Sequence, residues 1–104
     1  MNSITRIGIL GLLSVLILGC SGPSSDEINR YSEACVNFYK EKRANKGEHV
    51  EYRSNWMKDG RLVIALAEKK SESDSSYTEG LCVVDLKEGT IQLPGLLNQG
   101  KWEK

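Results

Sequence analysis

The stretch from Val50 to Ala67, VEYRSNWMKDGRLVIALA, predicts a β-hairpin. Its first part alternates between an inward and an outward set, as in a half-buried strand: Val50, Tyr52, Ser54 and Trp56 against Glu51, Arg53 and Asn55. Asp59-Gly60 is a strong signal for a two-residue turn. Leu62–Ala67 is apolar at every position, so we predict a central strand with both faces covered. Residues 62–70 also fit a short helix, which is the alternative.

An amphipathic helix is predicted upstream of this hairpin. Ser24 fits the N-cap position, and Glu27 stands three residues later, as a capping box requires. Residues 45–47, which include a glycine, are predicted to end the helix. One apolar stripe at three- and four-residue spacing is predicted to face a core: Ile28, Tyr31, Cys35, Phe38 and Tyr39.

Downstream of the hairpin, residues 71–80 predict a polar, serine-rich loop. This loop is either a mobile surface segment or a contact for a partner, since loops on a rigid scaffold often carry recognition. Leu81–Leu86 predicts a third strand and residues 91–93 a short fourth strand. Pro94 cannot donate a backbone hydrogen bond, so the fourth strand is predicted to lie at the edge. The apolar Trp102 predicts a C-terminal segment that folds back onto the sheet.

These elements predict an α+β fold with two layers. One N-terminal helix packs its apolar stripe on a four-stranded antiparallel meander sheet. The domain is small enough that its core needs further support, such as a covalent cross-link.

The first residues have the composition of a secretory signal peptide. Arg6 precedes an uncharged run over residues 7–18, which is shorter than the roughly 20 residues that span a bilayer. An uncleaved membrane anchor is the alternative, and the polar segment over residues 21–27 argues against it.

The motif Ile17-Leu18-Gly19-Cys20 resembles the lipobox of bacterial lipoproteins, with a small residue directly before the cysteine. The resemblance covers only the signal peptide over residues 1–19. It implies cleavage between Gly19 and Cys20, and a Cys20 that carries lipid, including palmitate-type acyl chains. Several acyl chains on one residue give stable membrane anchoring.

This resemblance divides the chain into three parts. They are the signal peptide, a lipidated N-terminus and tether over residues 20–25, and a small α+β domain over residues 26–104. Ser21 follows the cysteine where aspartate would favour the inner membrane. In a Gram-negative source, the resemblance therefore implies the outer membrane, with the domain facing the periplasm.

The two remaining cysteines, Cys35 and Cys82, are predicted to form a disulfide. An exported domain folds in an oxidising compartment, where two thiols pair. Cys35 lies on the inward helix stripe, and Cys82 shares a strand face with Val84 and Leu86. The bridge would tie the helix to the sheet. Two separate buried thiols are the alternative.

The sequence carries few signals for chemistry. His49 is the only histidine, and no cysteine or histidine spacing matches a metal site. With 14 basic and 14 acidic residues, nothing favours nucleic-acid binding. We expect no cofactor, no metal and no enzyme activity. Tyr52, Trp56 and Tyr77 fit an exposed aromatic patch, but the strand alternation favours core packing for Tyr52 and Trp56.

The sequence thus predicts a small membrane-anchored lipoprotein of the bacterial cell envelope that acts as a binding or accessory module. Its partner would be an envelope protein. The contact would be the sheet face away from the helix together with loop 71–80, with Tyr77 and Trp102 as contact residues. The alternative is a lipid-anchored inhibitor of a cell-wall hydrolase or of another envelope enzyme.

Overall fold

The computed structural model describes residues 22–45 and 47–104. The predicted cleavage and lipidation residues therefore lie outside the described part of the chain. The predicted signal peptide (residues 1–19), lipidation at Cys20 and membrane-sorting role of Ser21 thus concern residues that the structure does not describe. The same holds for Lys46 in the predicted end of the helix.

The helix, α1, spans Ser25–Lys42 and begins where the capping box was predicted. The Glu27 backbone N–H donates to Ser24 Oγ at 3.1 Å, and the Ser24 N–H donates to Glu27 Oε1 at 3.1 Å. These two bonds satisfy backbone donors that no helical carbonyl can reach. At the other end, the Arg43 N–H donates to the Tyr39 carbonyl at 2.8 Å and closes the last turn.

Four strands form one antiparallel sheet in chain order, which confirms the predicted meander. The strands are β1 (His49–Lys58), β2 (Arg61–Lys69), β3 (Thr78–Asp85) and β4 (Thr90–Gln92). Residues 62–67 are all buried within β2, so the helical alternative for this segment is wrong. The turn before β2 uses left-handed backbone at Asp59 (φ 50°) and Gly60 (φ 76°), as the primed hairpin turns require.

The β2–β3 loop is shorter than predicted. Thr78, Glu79 and Gly80 belong to β3 and pair with β2. Gly80 lies opposite Leu66, and a side-chain carbon at Gly80 would overlap the ring of Tyr39. Because the Tyr39 ring lies so close to the backbone, this position in the interior of β3 requires a glycine.

The main core lies between α1 and the sheet. Its buried members are Cys35, Tyr39, Val50, Leu62, Ile64, Leu66, Cys82 and Val84. The predicted disulfide is present: Cys35 and Cys82 are bonded, with their Cα atoms 6.0 Å apart. Val36, which was not part of the predicted stripe, is partly buried and packs on this core. Phe38, which was part of the predicted stripe, is half-buried.

β1 changes face at a β-bulge. The pairing register with β2 shifts between Tyr52 and Ser54, which leaves Arg53 as the extra residue. A one-residue shift moves every later side chain to the opposite face. Trp56 therefore packs on the face away from α1, and Tyr52 is 40% exposed. The prediction that both residues pack in one core was wrong, because it assumed unbroken alternation along β1.

The C-terminal segment, residues 96–104, folds back onto the sheet, as predicted, and it covers part of the face away from α1, which the prediction left open. It contains a 3₁₀ turn (Leu96–Asn98) and a short helix, α2 (Gln99–Trp102). Trp102 is 7% exposed, and Trp56 Nε1 donates to its carbonyl at 2.9 Å. This second cluster consists of Val63, Ala65, Leu81, Val83 and Trp102, with Trp56 packed against it.

Candidate partner-binding surface

The β2–β3 loop lies at the end of the sheet where α1 ends. The Arg43 guanidinium donates to the Pro94 carbonyl, beyond β4, at 3.1 Å. The Asn45 backbone N–H donates to Glu68 Oε2, near the end of β2, at 3.0 Å. These bonds hold the end of α1 beside loop 70–77. We call this side of the domain the loop end.

An open cleft of about 300 Å³ lies at the loop end. We call it the loop cleft, and its lining residues are Glu48, Glu68, Lys70, Asp74, Ser76, Tyr77 and Thr78. Three carboxylates, one ammonium group and several hydroxyls surround a single aromatic ring. This lining suits a polar or charged group from a partner better than an apolar ligand, whose sites are mostly hydrophobic.

Two carboxyl groups of the loop cleft, those of Glu48 and Glu68, lie close enough to influence each other's protonation. A hydrogen bond from protonated Glu48 to Glu68 raises the pKa of Glu48 above its usual 4.5.

Other hydrogen bonds act on Glu68. The Tyr39 hydroxyl donates to Glu68 Oε1 at 3.2 Å, and the Asn45 N–H donates to its second oxygen. Burial acts to raise the pKa of Glu68, but the hydrogen bonds that it accepts outweigh burial and lower this pKa. Glu48 thus takes up a proton at a higher pH than Glu68 does. The pair can bind a hydrogen-bond donor or a cationic group.

Tyr77 is the exposed aromatic residue of the loop cleft, and 42% of it is accessible. The Arg53 guanidinium carbon lies 4.4 Å from the Tyr77 ring centroid, and Arg53 Nη1 lies 3.4 Å from Glu79 Oε2. The bulge in β1 places Arg53 where it can reach both groups. Such exposed contacts add little to stability. Tyrosine and arginine are, however, enriched among the residues that dominate binding energies at interfaces.

A second polar cluster lies at the start of β1. Glu51 Oε1 is 3.2 Å from Lys69 Nζ and 3.0 Å from His49 Nε2. The hydrogen bond from Lys69, more than any other interaction, lowers the pKa of Glu51. His49 is therefore engaged by a neighbouring carboxylate on the same strand. This arrangement gives His49 a structural contact at the entry to β1.

The two predicted contact residues have different environments. Tyr77 is exposed beside the loop cleft, as a contact residue must be. Trp102 is buried against the sheet, and this burial removes its ring from the accessible surface. The contact surface predicted over the whole face away from α1 is likewise reduced, because the C-terminal segment covers part of that face.

Sequence reasoning missed Arg53, Glu48 and Glu68 as parts of this surface. No local pattern marks them, since the bulge that redirects Arg53 and the loop that brings Glu48 to Glu68 depend on pairing with β2. Prediction of the bulge from the sequence would require knowledge of the β1–β2 register.

Within residues 22–45 and 47–104, no group of three or more His, Cys, Asp or Glu side chains is placed to hold a metal ion. The helices found in this described part of the chain are too short or too polar to cross a membrane. No protein-family model, curated protein or solved structure matches the chain significantly. What points to its function is therefore its own residues and their geometry.

Proposed function

We propose that this chain is a lipoprotein of the bacterial cell envelope, anchored through lipid on Cys20, and that its domain is a non-enzymatic module that binds an envelope protein. The observation that carries the proposal is the motif Ile17–Cys20 at the end of an uncharged run. A cysteine that directly follows such a run and a small residue is the substrate pattern for lipid modification in bacterial export.

The buried Cys35–Cys82 disulfide supports export. Structural disulfides persist in oxidising compartments and are rare in the cytosol. The bridge also suits a domain of this size, because small exported domains often need a covalent cross-link to reach adequate stability. In a Gram-negative source, Ser21 favours delivery to the outer membrane.

The loop cleft supports a role in binding. It combines an exposed Tyr77 with a pair of carboxyl groups, and the Arg53 guanidinium lies on the face of the Tyr77 ring beside the cleft. These groups are held in place by contacts with α1, β1 and β3, so a partner would meet a pre-organised surface. We propose that an envelope protein contacts Tyr77 and Arg53 directly.

The lipid anchor is tested by metabolic labelling with a radioactive or alkyne-modified fatty acid. Wild type and the matched variant Ser21→Ala should carry the label, and Cys20→Ala should carry none. The unlabelled variant should also accumulate as an uncleaved precursor or leave the membrane fraction. Label retained by Cys20→Ala would reject the proposed anchor.

The binding surface is tested by photo-crosslinking in intact cells. A photoreactive amino acid replaces Tyr77 in one variant and Tyr52 in a matched control, since both tyrosines are exposed to a similar degree, 42% and 40%. We expect a discrete crosslinked product from position 77 and none from position 52, which is not among the residues that line the loop cleft. Equal products from both positions would argue against the loop cleft.

A further inference from the structure

The two ends of the sheet carry different parts of the fold. In an antiparallel meander, the β1–β2 turn (residues 59–60) and the β3–β4 turn (residues 86–89) lie at the same end, opposite the β2–β3 loop. The first turns of α1 lie at this end too, since a side-chain carbon at Gly89 would sit 3.6 Å from Tyr31 Oη. We call it the turn end.

The proposed lipid anchor enters the fold at the turn end. α1 begins at Ser25, directly after the Ser24 cap, so the chain leaves the domain beside the two turns. The capping box fixes the conformation at this point, and Pro23 restricts the backbone just before it. Only the short segment from Cys20 to Ser24 separates the lipid from the folded domain.

Two lengths exclude one orientation of the domain on a membrane, the one with the loop end toward the bilayer. The five residues from Cys20 to Ser24 span at most about 18 Å when fully extended. β2, with 9 residues, is roughly 30 Å long. If the loop end faced the bilayer, the start of α1 would stand roughly 30 Å above the surface. The tether is too short to reach the membrane from there.

We propose that the turn end faces the lipid bilayer and that the loop cleft faces away from it. The inference rests on the proposed lipid anchor at Cys20, and it adds an orientation that the anchor by itself does not specify. The partner must therefore meet the loop cleft from the aqueous side, roughly a strand length above the membrane surface.

The charges at the turn end indicate what holds the domain there. The two β-turns and the strand ends beside them carry three cations and three carboxylates: Lys58, Arg61 and Lys87 with Asp59, Asp85 and Glu88. The first turn of α1 adds the carboxylates of Asp26 and Glu27. One ion pair joins Arg61 Nε and Asp85 Oδ2 at 3.3 Å. A surface without a cluster of unpaired cations gains little from anionic lipids. Attachment should therefore depend on the acyl chains and respond weakly to salt.

Energy transfer on vesicles tests the orientation with two matched variants, Glu88→Cys at the turn end and Glu72→Cys at the loop end. Both glutamates are exposed, and the substitution is the same. The lipidated full-length mature protein, with its native disulfide intact, is labelled with a thiol-reactive donor and bound to vesicles that carry an acceptor on the lipid headgroup. A third protein carries Glu72→Cys and about 20 inserted Gly and Ser residues after Ser21, which adds roughly 25 Å of flexible reach.

We expect strong transfer from position 88 and a several-fold weaker transfer from position 72, unchanged by high salt. The inserted linker should raise transfer from position 72, because the domain can then turn over. Equal transfer from both positions in the protein without a linker would overturn the orientation while leaving the anchor in place. Failure of the mature protein to remain on vesicles would reject the lipid anchor and the orientation with it.

Discussion

The two faces of the sheet are covered by very different elements. On one face, an 18-residue helix contributes two buried residues and packs them against six buried residues of the sheet, and the Cys35–Cys82 disulfide joins the two layers. On the other face, a 4-residue helix delivers one large side chain, Trp102, over a smaller cluster. The first face is joined covalently, and the second is closed by apolar contact and a few hydrogen bonds.

This difference implies two levels of stability within one small domain. The C-terminal segment is held by Trp102, by the bond from Trp56 Nε1 and by a bond from Lys58 Nζ to the Glu103 carbonyl at 2.6 Å. Segments with few buried contacts open locally at a lower free-energy cost than the global core does. We expect the amide hydrogens of the C-terminal segment to exchange before those of α1.

Removal of the disulfide should have the largest effect. The double variant Cys35→Ala/Cys82→Ala frees a loop whose ends are 47 residues apart, and the free energy of unfolding should fall by about 4 kcal/mol. Urea denaturation of the oxidised wild type and of the double variant measures this loss. A loss smaller than about 1 kcal/mol would mean that α1 remains docked through packing alone.

Truncation of Trp102 should have the second largest effect, a decrease of about 3 kcal/mol in the free energy of unfolding. Trp102→Ala exposes the cluster on the face away from α1 but leaves the disulfide in place. The chain has 2 tryptophans, so Trp56 becomes the sole reporter, and its fluorescence should shift to longer wavelength. Trp102→Phe, the conservative control, should retain most of the stability. An unshifted spectrum in the alanine variant would show that Trp102 does not shield Trp56.

Gly80→Ala should destabilise the face under α1 by about 2 kcal/mol, because the added methyl group overlaps the Tyr39 ring. Gly95→Ala is the matched control, since nothing lies within 4 Å of a side-chain carbon there. Thermal denaturation compares the two. The double variant Gly80→Ala/Tyr39→Leu should lose less stability than the sum of the losses in the two single variants. Losses that add strictly would contradict the contact between Gly80 and Tyr39.

Acid should weaken the domain through Glu51 and Asp85, among the carboxyl groups whose pKa is lowered in the folded state. Hydrogen bonds from Lys69 and from the Glu88 backbone lower these two pKa values in the folded state. The stability that they contribute is therefore present above the unfolded-state values, 4.5 and 3.8, and is lost as pH falls below them. Thermal melts between pH 7 and pH 3 should show a shallower pH dependence for Glu51→Gln than for wild type.

Glu48 should contribute a pH dependence of stability opposite in sign to that of Glu51 and Asp85. Its pKa is raised in the folded state, so its contribution is present at low pH and is lost as pH rises through the folded value. Glu48→Gln should therefore gain stability at pH 7 relative to wild type, whereas Glu51→Gln loses stability there. Both effects should be the smallest of the series, since these carboxyl groups are partly exposed. Glu72→Gln, an exposed loop substitution, is the common control.

Several local features were predictable because they depend on neighbouring residues. The capping box needs only Ser24 and Glu27, and the hairpin turn needs only Asp59 and Gly60. The α+β order followed from the change of hydrophobic period between Tyr39 and Val50. The candidate surface was predicted in part, because exposure of Tyr77 fits a polar loop, whereas the burial of Trp102 depends on where the C-terminal segment docks.

The sequence by itself determined α1 and the four strands, the meander order, the pairing of Cys35 with Cys82 and the lipobox-like motif at Cys20. Only the tertiary structure decided the bulge at Arg53, the contact of Tyr39 with Gly80 and the meeting of Glu48 with Glu68. The physical reason is the separation along the chain of the groups that interact. Caps, turns and periodicity depend on groups a few residues apart, whereas strand register and the meeting of distant side chains depend on how packed layers fit together.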